Sequence, residues 1–269
     1  MKITIFYHHI LMAIKETGRT LLDILCELKK EGLSGVEVCA PDLTPQLLTA
    51  MEEAGLSVSS LYRMVPVFLG ETEKGLQLVD RAAEIGCKTV MLLPGAFPAD
   101  MDKETARKKS EIPLKVISDY GAEKGVAVTV EDYDGERTLF GSSCDMRYFE
   151  TTAPNLYYTY DSGNFYTSED VLDALSILKN KIRHVHLKDY AHMPSAWCGK
   201  ARLVRSGEKL YDVPFGYGDL PAQEIITALY VAGYRGYLCL EHTEAENMMD
   251  ANVAAIRRVK QFIDNLKKK

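Results

Sequence analysis

Glu131, Asp161 and Glu241 each close a short apolar run, and a further run carries His184, His186 and Lys188 at alternate positions. Three carboxylates and an imidazole gathered in one place make an oxygen-rich donor set. By ligand type such a set suits one divalent cation, Mn²⁺ first, with Mg²⁺ or Co²⁺ as alternatives and Zn²⁺ a less decisive fit. A cation of that kind polarises a carbonyl and stabilises the enediolate left when the neighbouring proton departs. Carboxylates flanking the substrate supply base and acid, and Glu131 and Glu241 have the residue type and placement for these catalytic roles. Reprotonation on the opposite face gives epimerisation, transfer to the next carbon gives isomerisation, and loss of a β-hydroxyl gives dehydration. Taken singly, each carboxylate would more often be a helix cap or a salt-bridge partner. Their succession at the ends of consecutive strands is what makes a site.

The elements that must position them repeat from end to end. Short β-branched runs alternate with longer amphipathic segments, the pattern of βα units and a parallel sheet. The strand candidates are 3–7, 35–38, 56–62, 89–94, 126–131, 156–160, 182–188 and 237–241, eight in all. Between them, Thr20 and Thr44 have the type and place of helix caps, Pro45 fits a first helical turn, and Gly32, Gly55, Gly86 and Gly233 fit helix ends. Pro113 should kink or divide the segment 102–125. Eight units in 269 residues, with no Gly-rich phosphate loop after the first strand, predict a single (β/α)8 barrel, one α/β domain over 1–269. Functional residues then belong at the C-terminal strand ends. The segment 190–214, after the seventh strand, is long for a connection and falls on that same face as a lid or binding loop.

Composition narrows the classes. A formal charge of −6, with its only basic run at Lys267, Lys268 and Lys269, argues against nucleic acid as a partner. The six cysteines, Cys26, Cys39, Cys87, Cys144, Cys198 and Cys239, form no CxxC pair and read as reduced thiols of a cytoplasmic protein. The apolar run at 3–7 is too short for a signal peptide, and no stretch is long enough to span a bilayer.

The motifs VEDYDG, YDSGNF, HVHLKD, PFGYGDL and GYLCLEHTE, in that order and preceded by GLSGVEV, resemble the xylose-isomerase-like barrel superfamily of sugar isomerases and epimerases. The resemblance covers nearly the whole chain. It implies that Glu131, Asp161, the second histidine of HVH (His186) and Glu241 ligate the metal. It also implies a small sugar or polyol as substrate, and it extends to dehydratases that act on inososes, keto-sugars or keto-glycosides. The endonuclease IV branch is disfavoured, because Tyr62, Arg63 and Pro94 stand where its additional histidine ligands would be required. Asn164 replaces a histidine frequent in the epimerase-like members; it can bond a substrate hydroxyl but cannot shuttle a proton.

Further substrate contacts are expected from the neighbouring strand ends. His8, beside His9, follows strand one, Glu37 ends strand two, and Lys188 stands one layer above His186, able to hold an anionic intermediate. His184, one layer deeper, suits a hydrogen-bonded core role. In the long segment, Trp197 can cover a sugar face, with Arg202 and Arg205 beside it; the indole serves equally as an anchor or a contact in a homo-oligomer.

Overall fold

The computed structural model describes residues 1–197, 201–204, 206–243 and 245–267; Cys198, Arg205, Lys268 and Lys269 lie outside the described residues. Ten strands appear among the described residues. They are β1 (Lys2–Phe6), β2 (Leu33–Cys39), β3 (Ser57–Met64), β4 (Thr89–Leu93), β5 (Ala127–Glu131), β6 (Leu156–Asp161), β7 (Ile182–Ala191), β8 (Arg202–Leu203), β9 (Lys209–Val213) and β10 (Tyr237–Glu241). β1 to β7 pair in sequence order, and β10 pairs in parallel with both β7 and β1, so the eight parallel strands close into the expected barrel.

Side chains alternate along each strand. Ile3, Ile5, Val36, Val38, Val128, Val130, Leu238 and Leu240 belong to the apolar core that the surrounding helices cover. The alternate positions, Thr4, Glu37, Thr129, Thr159, His184 and Cys239, are fully buried yet polar or ionisable. A barrel of this type is ordinarily filled by branched apolar residues. Here the filling is hydrogen-bonded: the Thr129 and Thr159 hydroxyls pair at 2.8 Å, and Glu37 meets His184 at 2.6 Å.

The helix punctuation holds where a side chain or a glycine writes it. Thr20 accepts the Asp23 N–H and Thr44 the Leu47 N–H, with Pro45 in the first turn. Pro113, by contrast, does not divide its helix, which runs unbroken from Lys103 to Lys124. The carbonyl that loses its partner there belongs to Lys109, an exposed residue that water can serve, while the Pro113 ring itself is buried. The helix Tyr7–Thr17 has no counterpart in the sequence reading. It begins directly after β1, and Phe6 at its start makes no side-chain cap bond, so no punctuation marks it.

The segment 190–214 is not a bare loop. β7 runs past the barrel rim to Ala191, and β9 pairs antiparallel with its last residues, Asp189 opposite Val213 and Ala191 opposite Tyr211. β8 then pairs with β9 to complete a hairpin above the mouth. Asp189 fastens its base: Oδ2 accepts the N–H groups of Gly216 and Gly218, and Oδ1 those of Tyr190 and Leu220. A side chain at Gly218 would strike Asp189 and the Tyr190 carbonyl. The aspartate of HVHLKD and the glycines of PFGYGDL are therefore two halves of one clasp. No helix among the described residues is long and apolar enough to cross a membrane.

Candidate metal centre

β5, β6, β7 and β10 are neighbours in the closed sheet, and their C-terminal ends bring Glu131, Asp161, His186 and Glu241 together. One ligand atom from each lies within 4.8 Å of the others. His186 Nδ1 is hydrogen-bonded to Glu131 Oε1 and stands 3.5 Å from Glu241 Oε2 and 3.9 Å from Asp161 Oδ2. His186 and Asp161 have no exposed surface, and the two glutamates are only slightly open to the mouth.

Gathering three carboxylates under cover has an electrostatic cost that shows in their proton affinities. Burial pushes Glu241 up to about 7 against the pull of Lys188, and Asp161 and Glu131 add to the rise. Glu131 rises for the same first reason, with His186 opposing. Burial would raise Asp161 too, but Lys188, His186 and the Asn164 N–H hold it below the usual range. Burial works against a charged His186, yet Glu37 and Glu131 together hold its pKa well above that of an ordinary histidine. An oxygen-rich cluster that favours positive charge at its centre fits a hard divalent ion.

The supporting atoms are equally specific. Asp161 Oδ1 accepts the N–H groups of Gly163 and Asn164 at 2.8 and 3.0 Å, which leaves Oδ2 facing the cluster. Lys188 Nζ lies 3.0 Å from Asp161 Oδ2 and 2.8 Å from Glu241 Oε1. Its stem runs so close over Gly163 that a β-carbon there would overlap it, which accounts for the glycine in YDSGNF. Ser162 accepts the Lys188 N–H and donates to the Lys188 carbonyl, locking β6 to β7 at this level.

The expected substrate contacts fare differently. Glu37 does not reach the mouth. It is fully buried beneath His186, and its Oε2 accepts from His184 Nε2 at 2.6 Å and from His186 Nε2 at 3.1 Å. Burial alone would raise its pKa, but the two imidazoles hold it well below the carboxylate range. The strand alternation that puts Glu37 inside does not reveal its depth, which depends on strand stagger. Asn164 also looks inward: its amide donates to the Asp132 carbonyl and accepts from Lys188 Nζ at 3.3 Å, so both ends are engaged within the protein. Of the histidine pair, His9 is completely buried against His242, whereas His8 is only partly buried. Burial, then the charge of Lys188, pushes His8 down to about 4. Arg202, on β8, donates to the Tyr190 hydroxyl at 2.9 Å and faces Asp134 at 3.8 Å.

Trp197 packs edge-to-face on Tyr217, ring centroids 4.8 Å apart, and its carbonyl accepts the Glu246 N–H. That is an anchor's placement. Trp197→Ala is expected to lower the melting temperature by about 3–6 °C, as for roughly 1–2 kcal/mol in a domain of this size, with catalytic constants little changed. A raised KM at unchanged melting temperature would instead put the indole on the substrate.

Asp132 is the residue the sequence reading passed over. Its Oδ1 accepts the Asp161 N–H at 3.1 Å, and burial, reinforced by the charges of Asp161 and Glu131, pushes its pKa well above the carboxylate range. Its place inside VEDYDG, next to a strand-end ligand, was the available signal.

Comparison with known proteins gives a consistent picture. The family described as xylose isomerase-like TIM barrel matches residues 25–264. An inosose dehydratase from Geobacillus thermodenitrificans is 26% identical over 248 residues, 82% of each chain. Among solved structures, 3-keto-D-glucoside 4-epimerase from E. coli superposes with a TM-score of 0.72 at 16% identity, covering 98% of this chain and 99% of that one. A barrel protein from Mycobacterium smegmatis in complex with magnesium gives 0.69 at 17% identity over 91% and 88% of the two chains. At these identities the structural matches establish the shared fold.

Proposed function

The chain belongs to the xylose isomerase-like TIM barrel family, and from that premise we propose a divalent-cation-dependent enzyme that removes the proton next to a carbonyl in a sugar or polyol. The observation that carries this reading is the convergence of Glu131, Asp161, His186 and Glu241 at one end of the barrel. These four residues would hold the ion, which supplies polarisation of the substrate carbonyl and stabilisation of the resulting anion. Mn²⁺ is our first assignment by ligand type, with Mg²⁺ the alternative that the magnesium-bound neighbour also supports.

The protein's own groups then divide the work. Glu131 and Glu241 stand on opposite flanks of the Asp161–His186 pair, one to take the proton and the other to return it. Burial, which raises the proton affinity of Glu241 against the pull of Lys188, favours it as the group that returns the proton. Lys188, held by Asp161 and Glu241, places a fixed positive charge beside the developing anion. His8, uncharged at neutral pH and with its Nε2 buried without a hydrogen-bond partner, is our candidate to bond a substrate hydroxyl. Isomerisation and epimerisation follow from where the proton returns. Loss of a β-hydroxyl from an inosose, keto-sugar or keto-glycoside is the second reading, supported by the similarity to an inosose dehydratase over most of the chain.

Elemental analysis of the purified protein is expected to find about one divalent ion per chain, bound tightly enough to survive desalting and removed by chelator with loss of activity. Protein that binds no ion, or whose ion in a crystal lies away from these four residues, would remove the proposal.

A further inference from the structure

Glu131 faces two ways. Its carboxylate belongs to the cluster above, and it also lines a groove of about 380 Å³ completed by Met64, Leu93, Pro94, Tyr133, Thr138 and Phe140. Apart from Glu131, Thr138 and the Tyr133 hydroxyl, that lining is apolar. Two of its walls leave large apolar side chains in contact with solvent: Met64 is 54% exposed and Tyr133 57%. Scattered exposed apolar residues need no explanation, but a concave apolar surface opening onto charged groups is the usual form of a ligand site.

The groove is also built rather than incidental. Phe97 N–H bonds the Arg137 carbonyl at 2.9 Å, Val65 N–H the Leu93 carbonyl at 2.8 Å, and Tyr133 N–H the Phe140 carbonyl at 2.8 Å. The first ties the segment after β4 to the segment after β5, the second joins the end of β3 to the end of β4, and the third closes the segment after β5 on itself, so each wall of the groove is fixed by backbone bonds. Phe140 and Thr138 form a buried floor. A free sugar, with a hydroxyl on nearly every carbon, gains less from such a surface than an apolar group does, because hydroxyls placed against it lose water without a partner. The complementary ligand is one whose polar ring sits on the carboxylates while an apolar group leaves it on the Glu131 side.

We propose that this groove is a subsite for an apolar, ring-sized substituent, and that the substrate class is a sugar or polyol ketone carrying such a group, as in an aryl glycoside. The inference rests on the carbonyl chemistry proposed above, since Glu131 is what joins the two regions. Size agrees: an apolar cavity of about 150 Å³ suffices for benzene, and the groove exceeds that.

Paired unreactive probes test the subsite by binding alone. Phenyl β-D-glucoside and methyl β-D-glucoside differ only in the group the groove would receive. With the metal-loaded protein, calorimetry should find the phenyl glucoside bound about 10- to 100-fold more tightly, the gain expected for burying one aromatic ring. Ala96, exposed at the groove's edge, offers a way to fill it without disturbing the core. In Ala96→Trp the preference should fall to within about 3-fold, while a circular dichroism melt confirms the fold. Equal binding of the two glucosides by the unmodified protein would overturn the proposal, as would a phenyl preference that survives Ala96→Trp. The outcome is separable from the enzymatic reading: a metal-free, inactive protein that still prefers the phenyl ring keeps the groove and loses the catalyst.

Discussion

Glu131→Gln and Glu241→Gln are each expected to lower kcat by about 10²-fold or more, the ordinary worth of general acid–base catalysis, with a smaller effect on KM. Glutamine keeps the side-chain shape and one oxygen donor toward the ion but cannot take up a proton. The expected loss is therefore in the chemical step, and metal content measured beside activity separates it from loss of the ion. In D₂O the unmodified protein should introduce deuterium at the carbon next to the carbonyl, in product or recovered substrate, and the glutamine variants should not. Undiminished turnover in both variants would remove these residues from the chemistry.

Glu37→Gln should act from below. Glu37 Oε2 takes the Nε2 protons of both His184 and His186, which turns Nδ1 of His186 toward the three carboxylates. A buried carboxylate behind a metal-binding imidazole fixes its tautomer and strengthens it as a donor, and its loss typically costs 10- to 100-fold in metal affinity. An amide that must offer an N–H to one of two imidazoles should cost that much here, together with about 3–5 kcal/mol of stability, on the order of 10 °C in melting temperature. Titration of the apoprotein with Mn²⁺ measures the first and a melt the second. Glu37, His184 and Cys239 also lie close enough to hold a cation themselves. In that case Glu37→Gln and Cys239→Ser would each lower the number of ions bound per chain and leave the affinity of the remaining one unchanged, contrary to the orienting role.

The barrel and the four-residue cluster were legible because both are written in short-range pattern. β-branched runs ending in a carboxylate or a histidine place that side chain at a strand end whatever the rest of the chain does, as Glu131 and Glu241 illustrate. Features set by relations between strands were not legible. Whether Glu37 touches substrate or supports His186 depends on stagger around the barrel, and the β2–β3 register shifts at that very residue. Asn164 is diverted by Lys188 and Asp132, partners 24 and 32 residues away that no local spacing connects. The hairpin at β8 and β9 escaped notice because its partner is the overhang of β7, which the motif HVHLKD does not signal.

That overhang makes β7 a cantilever. Its inner half carries His186 and Lys188 in register with β6 and β10, and its outer half, from Asp189 on, is the beam to which the hairpin is stitched. The clasp at Asp189 is the clamp between them, so bending of the hairpin is borne by Asp189 and the backbone it grips before it reaches the ligands. At the hairpin's far end Ser206, Gly207 and Glu208 are exposed, and Glu208 Oε1 reaches back to His192 Nε2 at 3.6 Å. The inner half of β7 thus seats the ligands, and the hairpin stitched to its outer half carries the exposed residues. Lengthening or exchanging residues 206–208 should change which guest the mouth admits while the ion keeps the same seat.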